Sequence, residues 1–500
     1  MKSGWLRKAG KHIILAVILS VSLVLLLANL GNQCLWQDEA QTALVSKTIL
    51  TDGVPRGYDG KNFFSQEGGA EYGKNYIWRW HTWLPFYVLA GFYKIFGVDT
   101  FVSRLPFALF GFGTILLIYY FCRILWRDTH IPHIAAGLLA ISVPFLILSR
   151  QCRYYSMAMF FSVLALFIYV AMLNKKRYAA VMLFIASTLL FHTQHFYIMV
   201  LFSALLLHAA LFGRHCLKGL LIVIVATVIV NGPWLVWLAG MHYSVRTPNP
   251  YAIFRFIKIF SMNIFRYVFP FWLLGIMLVA IIVKRVKTGH FFEEKSPFLR
   301  NVLLPIFFVF FNIVLMTVVA PVPYFRYIAP SVPLLIMLIA VVVNAAARIR
   351  LILAVLTVVL LITTSQISDY IYEITHDFKG PCEGIVSYLK EHGRDDDIVA
   401  ITYDDMVLKF YTNMEIIGGL TGDNIEQAKN ARWVIIRKYV HLKFDAEVRK
   451  YLLKNVEWSR YRRIVLDYPD TPWENRESPD GHLFRSCTDE DKVVIFERMN

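Results

Sequence analysis

Charge is what this 500-residue chain has little of. Asp, Glu, Lys and Arg make up 17% of it and hydrophobic residues 57%, whereas a soluble globular chain carries roughly 25% charged residues. That excludes a protein folded wholly in water. Also lacking are a phosphate-cradling glycine loop of the Walker or Rossmann type and any Ser/His/Asp arrangement that spacing brings together, which argues against nucleotide-driven pumping and serine hydrolysis. No Asn-x-Ser/Thr sequon occurs. Large segments exposed to a secretory lumen often carry one, so its absence points towards a bacterial membrane. The six cysteines are few, and no His or Cys spacing makes a metal site.

Apolar runs are plentiful. Segments near 12–31, 101–122, 131–149, 154–173, 178–193, 195–213, 219–239, 262–283, 301–320, 326–345 and 349–366 approach the roughly 20 residues that a helix needs to cross a bilayer. The sequence thus predicts a polytopic α-helical membrane protein of about eleven spans. The first run follows Lys2, Arg7, Lys8 and Lys11 but has no small-x-small cleavage pattern, so it is expected to be a retained anchor. The net charge of +16 does not indicate a nucleic-acid partner, because the basic residues lie between spans and not on one soluble patch. With the N-terminus in the cytoplasm, the inner loops receive Arg123 and Arg127, then Lys175, Lys176 and Arg177, then Arg214 and Lys218, Lys284, Arg285 and Lys287, and finally Arg348 and Arg350. The positive-inside rule is then obeyed throughout.

An odd number of spans puts residues 32–100 and 367–500 together on the outer face. The short aromatic stretch 83–97, interrupted by Pro85 and Lys94, is expected to lie in the membrane interface. The last 134 residues alternate strand-like runs at 397–402, 432–439, 463–468 and 492–497 with helical pieces such as 383–391, which predicts a small C-terminal α/β domain beyond a transmembrane domain of residues 1–366. Its Cys382 and Cys487 are placed where a disulfide can form.

Candidate chemistry lies at the outer boundary. Trp36-Gln37-Asp38-Glu39-Ala40 puts two adjacent carboxylates just after the first span, opening an amphipathic stretch with Ala40, Leu44, Val45 and Ile49 on one side. Asp38 or Glu39 can serve as a general base for a hydroxyl attacking an anomeric carbon. Position alone equally allows Asp38 to be a helix N-cap. Arg104, Arg150, Arg153, Arg246, Arg255, Arg266 and Arg326 fall near outer ends of spans, against the topological bias. A guanidinium fork suits phosphate, so a lipid phosphate is the expected ligand, although any single arginine can equally be snorkelling to the headgroups. The densest clusters are Arg150-Gln151-Cys152-Arg153-Tyr154-Tyr155 and Tyr324-Phe325-Arg326-Tyr327, which favours Arg153 and Arg326. Trp78-Arg79-Trp80-His81-Thr82-Trp83 adds rings that stack on sugars or anchor at the interface. His81, His192 and His195 can bind metal, serve in acid/base work, hydrogen-bond a phosphate, or be plain polar-loop residues.

This order of motifs resembles the GT-C class of membrane glycosyltransferases, in the branch of protein O-mannosyltransferases and aminoarabinose transferases to lipid A. The carrying residues are Trp36, Asp38, Glu39 and Ala40; Pro85-Phe86-Tyr87 through Phe96-Gly97; Ser103-Arg104-Leu105-Pro106; Ser149-Arg150 to Arg153-Tyr154; and Arg326-Tyr327 with Pro330 and Pro333. The resemblance covers roughly residues 1–366. It implies an outward-facing cavity with Asp38 as base, arginines holding a polyprenyl phosphate of undecaprenyl or dolichyl type, two interfacial helices in the first loop, and a glycan, lipid or protein acceptor. Where the family often has a second proline, and in some branches a lysine, before Pro85, this chain has Thr82-Trp83-Leu84, with Arg79 or His81 as substitutes at the phosphate. The acidic residue of the next outer loop in some members is replaced by the stretch Arg150 to Arg153. Some relatives of the wider class use a divalent metal; a phosphate leaving group beside permanent cations does not call for one. The rival readings are a transporter or flippase for a lipid-linked saccharide and a non-catalytic scaffold.

Overall fold

The computed structural model describes residues 2–127, 129–239, 249–288, 297–418, 425–438, 443–471, 479, 480, 482, 484 and 491–499. Arg246 and Cys487 lie outside them, and so therefore does one half of the expected disulfide.

Helix α1 (Lys2–Leu27) leads into the first loop, which carries α2 (Gln37–Asp52) and α3 (Leu84–Phe96). The helical body continues through α4 (Thr100–Leu125), α5 (Ile131–Ala140), α6 (Val143–Ser149), α7 (Tyr155–Leu173), α8 (Ala179–Thr193), α9 (Phe196–Phe212), α10 (Leu217–Ala239), α11 (Pro250–Tyr267), α12 (Trp272–Thr288), α13 (Pro297–Val319), α14 (Ser331–Ile349) and α15 (Leu351–Thr364). All eleven predicted segments are helical. Among the described residues, five helices are long and apolar enough to cross a membrane, or eight if each bent pair is one span. His12–Leu27, Ala179–Thr193 and Phe196–Phe212 are apolar but shorter. The structure also breaks three runs: α5 and α6 meet at 61°, α11 and α12 at 78°, and α15 and α16 (Ile367–Thr375) at 49°. Pro144 and Pro270 stand at the first two breaks, where a missing N–H and a fixed φ stop one helix and start the next.

One apolar core runs through the helical body, from Leu25 and Leu26 of α1 to Ala346 of α14. At Gly111 of α4 a Cβ would fall 2.6 Å from the Ser149 Cβ, so the bare backbone lets α6 press against α4. α4 itself starts on Asp99, whose carboxylate accepts from the Val102 N–H at 2.7 Å and satisfies one of the unpaired donors of the first turn.

Beyond α16, α17 (Pro381–His392), α18 (Asp405–Tyr411) and α19 (Lys443–Asn455) flank a five-stranded sheet. Its strands are β1 (Ile398–Ile401), β2 (Glu415–Gly418), β3 (Trp433–Ile435), β4 (Tyr461–Pro469) and β5 (Lys492–Arg498), in the order β2-β1-β3-β5-β4. β1 pairs in parallel with β2 and β3, while β5 runs antiparallel to β3 and β4. Alternation along β1 sends Val399 and Ile401 to a core shared with α17 and α18, and Ala400 to a core shared with α19, as the two-residue period of a strand requires.

The sheet unit is clamped to the first loop. Asn29 Nδ2 donates to the Ile374 carbonyl at 2.7 Å, the Cys34 N–H to Glu383 Oε1 at 2.8 Å, the Leu35 N–H to the Tyr411 hydroxyl at 3.0 Å and Lys409 Nζ to the Phe63 carbonyl at 2.7 Å. Asn62 bridges to β2 by donating to the Met414 carbonyl at 3.0 Å and accepting from the Ile416 N–H at 2.8 Å. The loop and the sheet unit therefore occupy the same side of the helical body.

Candidate active site

α2 carries the two acidic residues, and its start decides what each does. The N-cap is Trp36 and the helix begins at Gln37. Asp38 is thus inside the first turn and is not the cap, the bland alternative for it. Three consecutive residues leave a helix about 100° apart, so Gln37, Asp38 and Glu39 face three different surroundings.

Glu39 points into the body of the protein. Its two oxygens take Arg104 Nε at 2.9 Å and Arg104 Nη2 at 2.7 Å, Oε1 also accepts the Cys152 N–H at 2.7 Å, and Oε2 accepts the Trp36 N–H at 3.2 Å. The carboxylate is 0% exposed and Arg104 2%. Arg104 spends its remaining donors on the carbonyls of Leu30 at 3.0 Å, Gln33 at 2.9 Å and Cys34 at 2.9 Å, so all five N–H groups of the guanidinium have protein partners. This corrects the expectation for both residues. Glu39 is not placed for proton transfer nor Arg104 for phosphate; together they tie the first loop to α4 and to the segment between α6 and α7.

Asp38 faces the other way, at 15% side-chain exposure. Its Oδ2 lies 3.3 Å from Arg153 Nη2 and 3.3 Å from Arg326 Nη1. Arg153 also donates to the Asp38 carbonyl at 3.2 Å and Thr42 Oγ1 at 2.9 Å, which leaves its buried Nε without a hydrogen-bond partner. Arg326 lies over three rings, Tyr324 at 4.8 Å, Trp36 at 5.7 Å and Tyr327 at 5.7 Å from their centroids, an arrangement that holds a guanidinium by cation–π attraction. Tyr154 lies 5.8 Å below Arg153, and Tyr197 donates to the Tyr327 carbonyl at 3.1 Å. Two cations thus share one carboxylate, with aromatic walls around them.

His81 completes this wall, 6.0 Å from the Tyr154 ring and 6.4 Å from the Trp78 ring. Burial first, then the charges of Arg153, His195 and Arg326, hold it well below the usual imidazole range. It is neutral near pH 7, able to donate or accept one hydrogen bond but not to add a cation. Arg79 is turned elsewhere: it donates to the Trp237 carbonyl in the last turn of α10 and lies 5.0 Å over the Trp237 ring, where the negative end of the helix dipole favours a cation. Arg150 likewise donates to the Leu25 and Leu26 carbonyls at 3.1 and 3.0 Å and caps the end of α1. Neither makes its contacts with Asp38. Arg255 and Arg266 are exposed on α11.

Glu67 was not singled out by sequence. It lies in the first loop, where partial desolvation and then the Asp38 charge raise its carboxyl. Nothing in its local pattern brings it to α2; the loop fold does. Among the described residues, no group of three or more His, Cys, Asp and Glu side chains converges.

Residues 80–237 match the family described as Dolichyl-phosphate-mannose-protein mannosyltransferase, a match that spans less than half of the chain. The resemblance read from the motifs is borne out by this match and, at the level of fold, by solved structures. In particular, the crystal structure of ArnT from Cupriavidus metallidurans bound to undecaprenyl phosphate superposes with a TM-score of 0.60 at 14% identity, over 96% of this chain and 97% of that one. The apo state of the same ArnT gives 0.60 at 12% identity over 99% and 98%. No curated protein matches the chain in sequence.

Proposed function

We propose that the protein transfers a sugar from a polyprenyl-phosphate carrier to an acceptor on the outer face of its membrane, with inversion at the anomeric carbon. The observation that carries this reading is the Asp38 carboxylate shared by Arg153 and Arg326 in a chain of GT-C fold. A donor phosphate competes with Asp38 for the two guanidiniums, because a bidentate phosphate contact is stronger than a shared single oxygen. Asp38 then accepts the proton of the acceptor hydroxyl as that oxygen bonds to the anomeric carbon. The bond from that carbon to the phosphate oxygen breaks, its electron pair leaves with the phosphate, and the arginines stabilise the charge that develops. The aromatic wall of Tyr154, His81 and Tyr327 borders the sugar. The acceptor is a glycan, lipid or protein hydroxyl, and the membrane is a bacterial inner membrane with the site facing the periplasm. Eleven spans with residues 367–500 outside agree with the charge bias of the loops.

Translocation is the weaker reading. Ion-coupled carriers place titratable groups on a path near the midplane, whereas His208 here is fixed between the Tyr169 hydroxyl at 3.0 Å and the Arg300 carbonyl at 3.0 Å, and His133 packs edge-on against Tyr119 at 5.1 Å.

The test is transfer of labelled sugar from a panel of polyprenyl-phosphate sugars in membranes containing the protein. Transfer from at least one donor is expected. Translocation of a lipid-linked saccharide without transfer from any donor would replace this reading with the carrier.

A further inference from the structure

The carboxylate assigned as base sits between two anchored neighbours, and the anchors come from opposite sides. Glu39 is held by Arg104 of α4. Gln37 is held by the sheet unit: its Nε2 donates to Asp405 Oδ1 at 2.6 Å and its Oε1 accepts the Met406 N–H at 3.2 Å. Asp405 in turn takes Lys409 Nζ on Oδ2 at 2.7 Å, and Lys409 donates onward to the Phe63 carbonyl at 2.7 Å. Asp405 and Lys409 are both 0% exposed and Gln37 is 2% exposed. Two residues further along α18, the Tyr411 hydroxyl accepts the Leu35 N–H at 3.0 Å and meets Thr100 Oγ1 at 2.7 Å. α18 thus touches the loop just before Asp38, at Phe63, and at the start of α4.

A buried ion pair is a poor source of stability, since apolar residues of the same size often serve as well. It is an effective means of fixing direction, because buried polar groups must keep their partners. We infer that Asp405, Lys409 and Gln37 are positioning residues: α18 holds the first turn of α2 so that Asp38 Oδ2 stays between Arg153 and Arg326. The sheet unit is then part of the catalytic apparatus and not only a platform for acceptors. The kinetic half of this inference rests on the proposed transferase activity; the anchoring half does not.

The test replaces Asp405→Leu together with Lys409→Met in the full-length protein, removing both buried charges at once so that neither is stranded. Hydrogen exchange in detergent reads the anchoring. Amides at 36–42 are expected to exchange about tenfold faster, the loss of one charge-assisted hydrogen bond, while α4 and α13 stay as protected as in the wild type. Under saturating donor, kcat is expected to fall towards about 10²-fold, the scale of a displaced catalytic group, with KM for the donor unchanged. Gln37→Leu alone should reproduce both effects and add nothing in the double-variant background. Asp405→Asn with Lys409→Met, which keeps an acceptor for Gln37, should restore much of the lost kcat. Unchanged exchange at 36–42 overturns the inference whatever the activity. Faster exchange with unchanged kcat overturns the positioning role, as does a Gln37→Leu effect that multiplies that of the pair. If wild-type protein transfers no sugar, the functional proposal fails, and the exchange measurement still decides whether α18 anchors α2.

Discussion

Adjacent carboxylates on one helix turn have opposite fates here, and the reason is direction. Asp38 keeps partial exposure and two cations at 3.3 Å; Glu39 is fully buried with four hydrogen bonds. Glu39→Gln leaves Arg104 without its countercharge and should cost about 3–5 kcal/mol, read as a large drop in thermal stability of the purified protein, whereas Asp38→Asn, at a partly exposed and longer-range pairing, should cost less. Arg153→Met or Arg326→Met should weaken binding of undecaprenyl phosphate by about tenfold or more each, the worth of a hydrogen bond to a charged group. His81 gives a pH signature. Its folded pKa lies below the unfolded value of about 6.5, so the unfolded state binds the proton first. Stability is therefore lost as pH falls below about 6.5 and continues to fall down to the folded value. Wild type should lose melting temperature between pH 7 and 5 relative to His81→Gln. A difference that does not change with pH would contradict the burial of a neutral ring. Arg153 and Arg326 were legible in the sequence because an arginine at an outer helix end runs against the charge bias. The pairing of Arg104 with a carboxylate 65 residues earlier was not, since nothing local separates a buried arginine from a ligand-binding one.

Helices were legible as apolar runs, but their breaks were not. The run 131–149 reads as one span by hydropathy, yet Ser142 and Pro144 divide it and the two pieces meet at 61°. That turn carries Ser149 against Gly111 and so delivers Arg150 to Arg153 beside the first loop. Gly111→Ala, by forcing a Cβ to within 2.6 Å of Ser149, should cost about 1–3 kcal/mol and loosen the arginine loop, measured as lower melting temperature and weaker phosphate binding. No change in either would mean that α6 can move aside freely. In the sheet, β1 and β5 follow the runs at 397–402 and 492–497. β2 was missed because Glu415–Gly418 offers only Ile416 and Ile417 as strand formers, between a glutamate and a glycine. α2 was read as amphipathic, but burial of Gln41, Thr42, Ser46 and Thr48 together with its apolar side shows that the loop covers its polar face as well.

The molecule as a whole joins a helical body to a sheet unit through the loop that carries Asp38. Parity of spans predicted that residues 32–100 and 367–500 share a face, and hydrogen bonds from Asn62 to β2 and from Gln37 to α18 join the two segments. Which residues make those contacts was invisible in sequence, because they join positions more than 340 apart.

The most direct test of the central claim compares wild type with Asp38→Asn in two assays on the same preparations: binding of undecaprenyl phosphate and transfer of sugar from the donor that wild type uses. Binding retained with transfer reduced by about 10²- to 10⁴-fold is the expected result. Equal transfer by the two proteins would remove Asp38 from the chemistry and with it the account of the site.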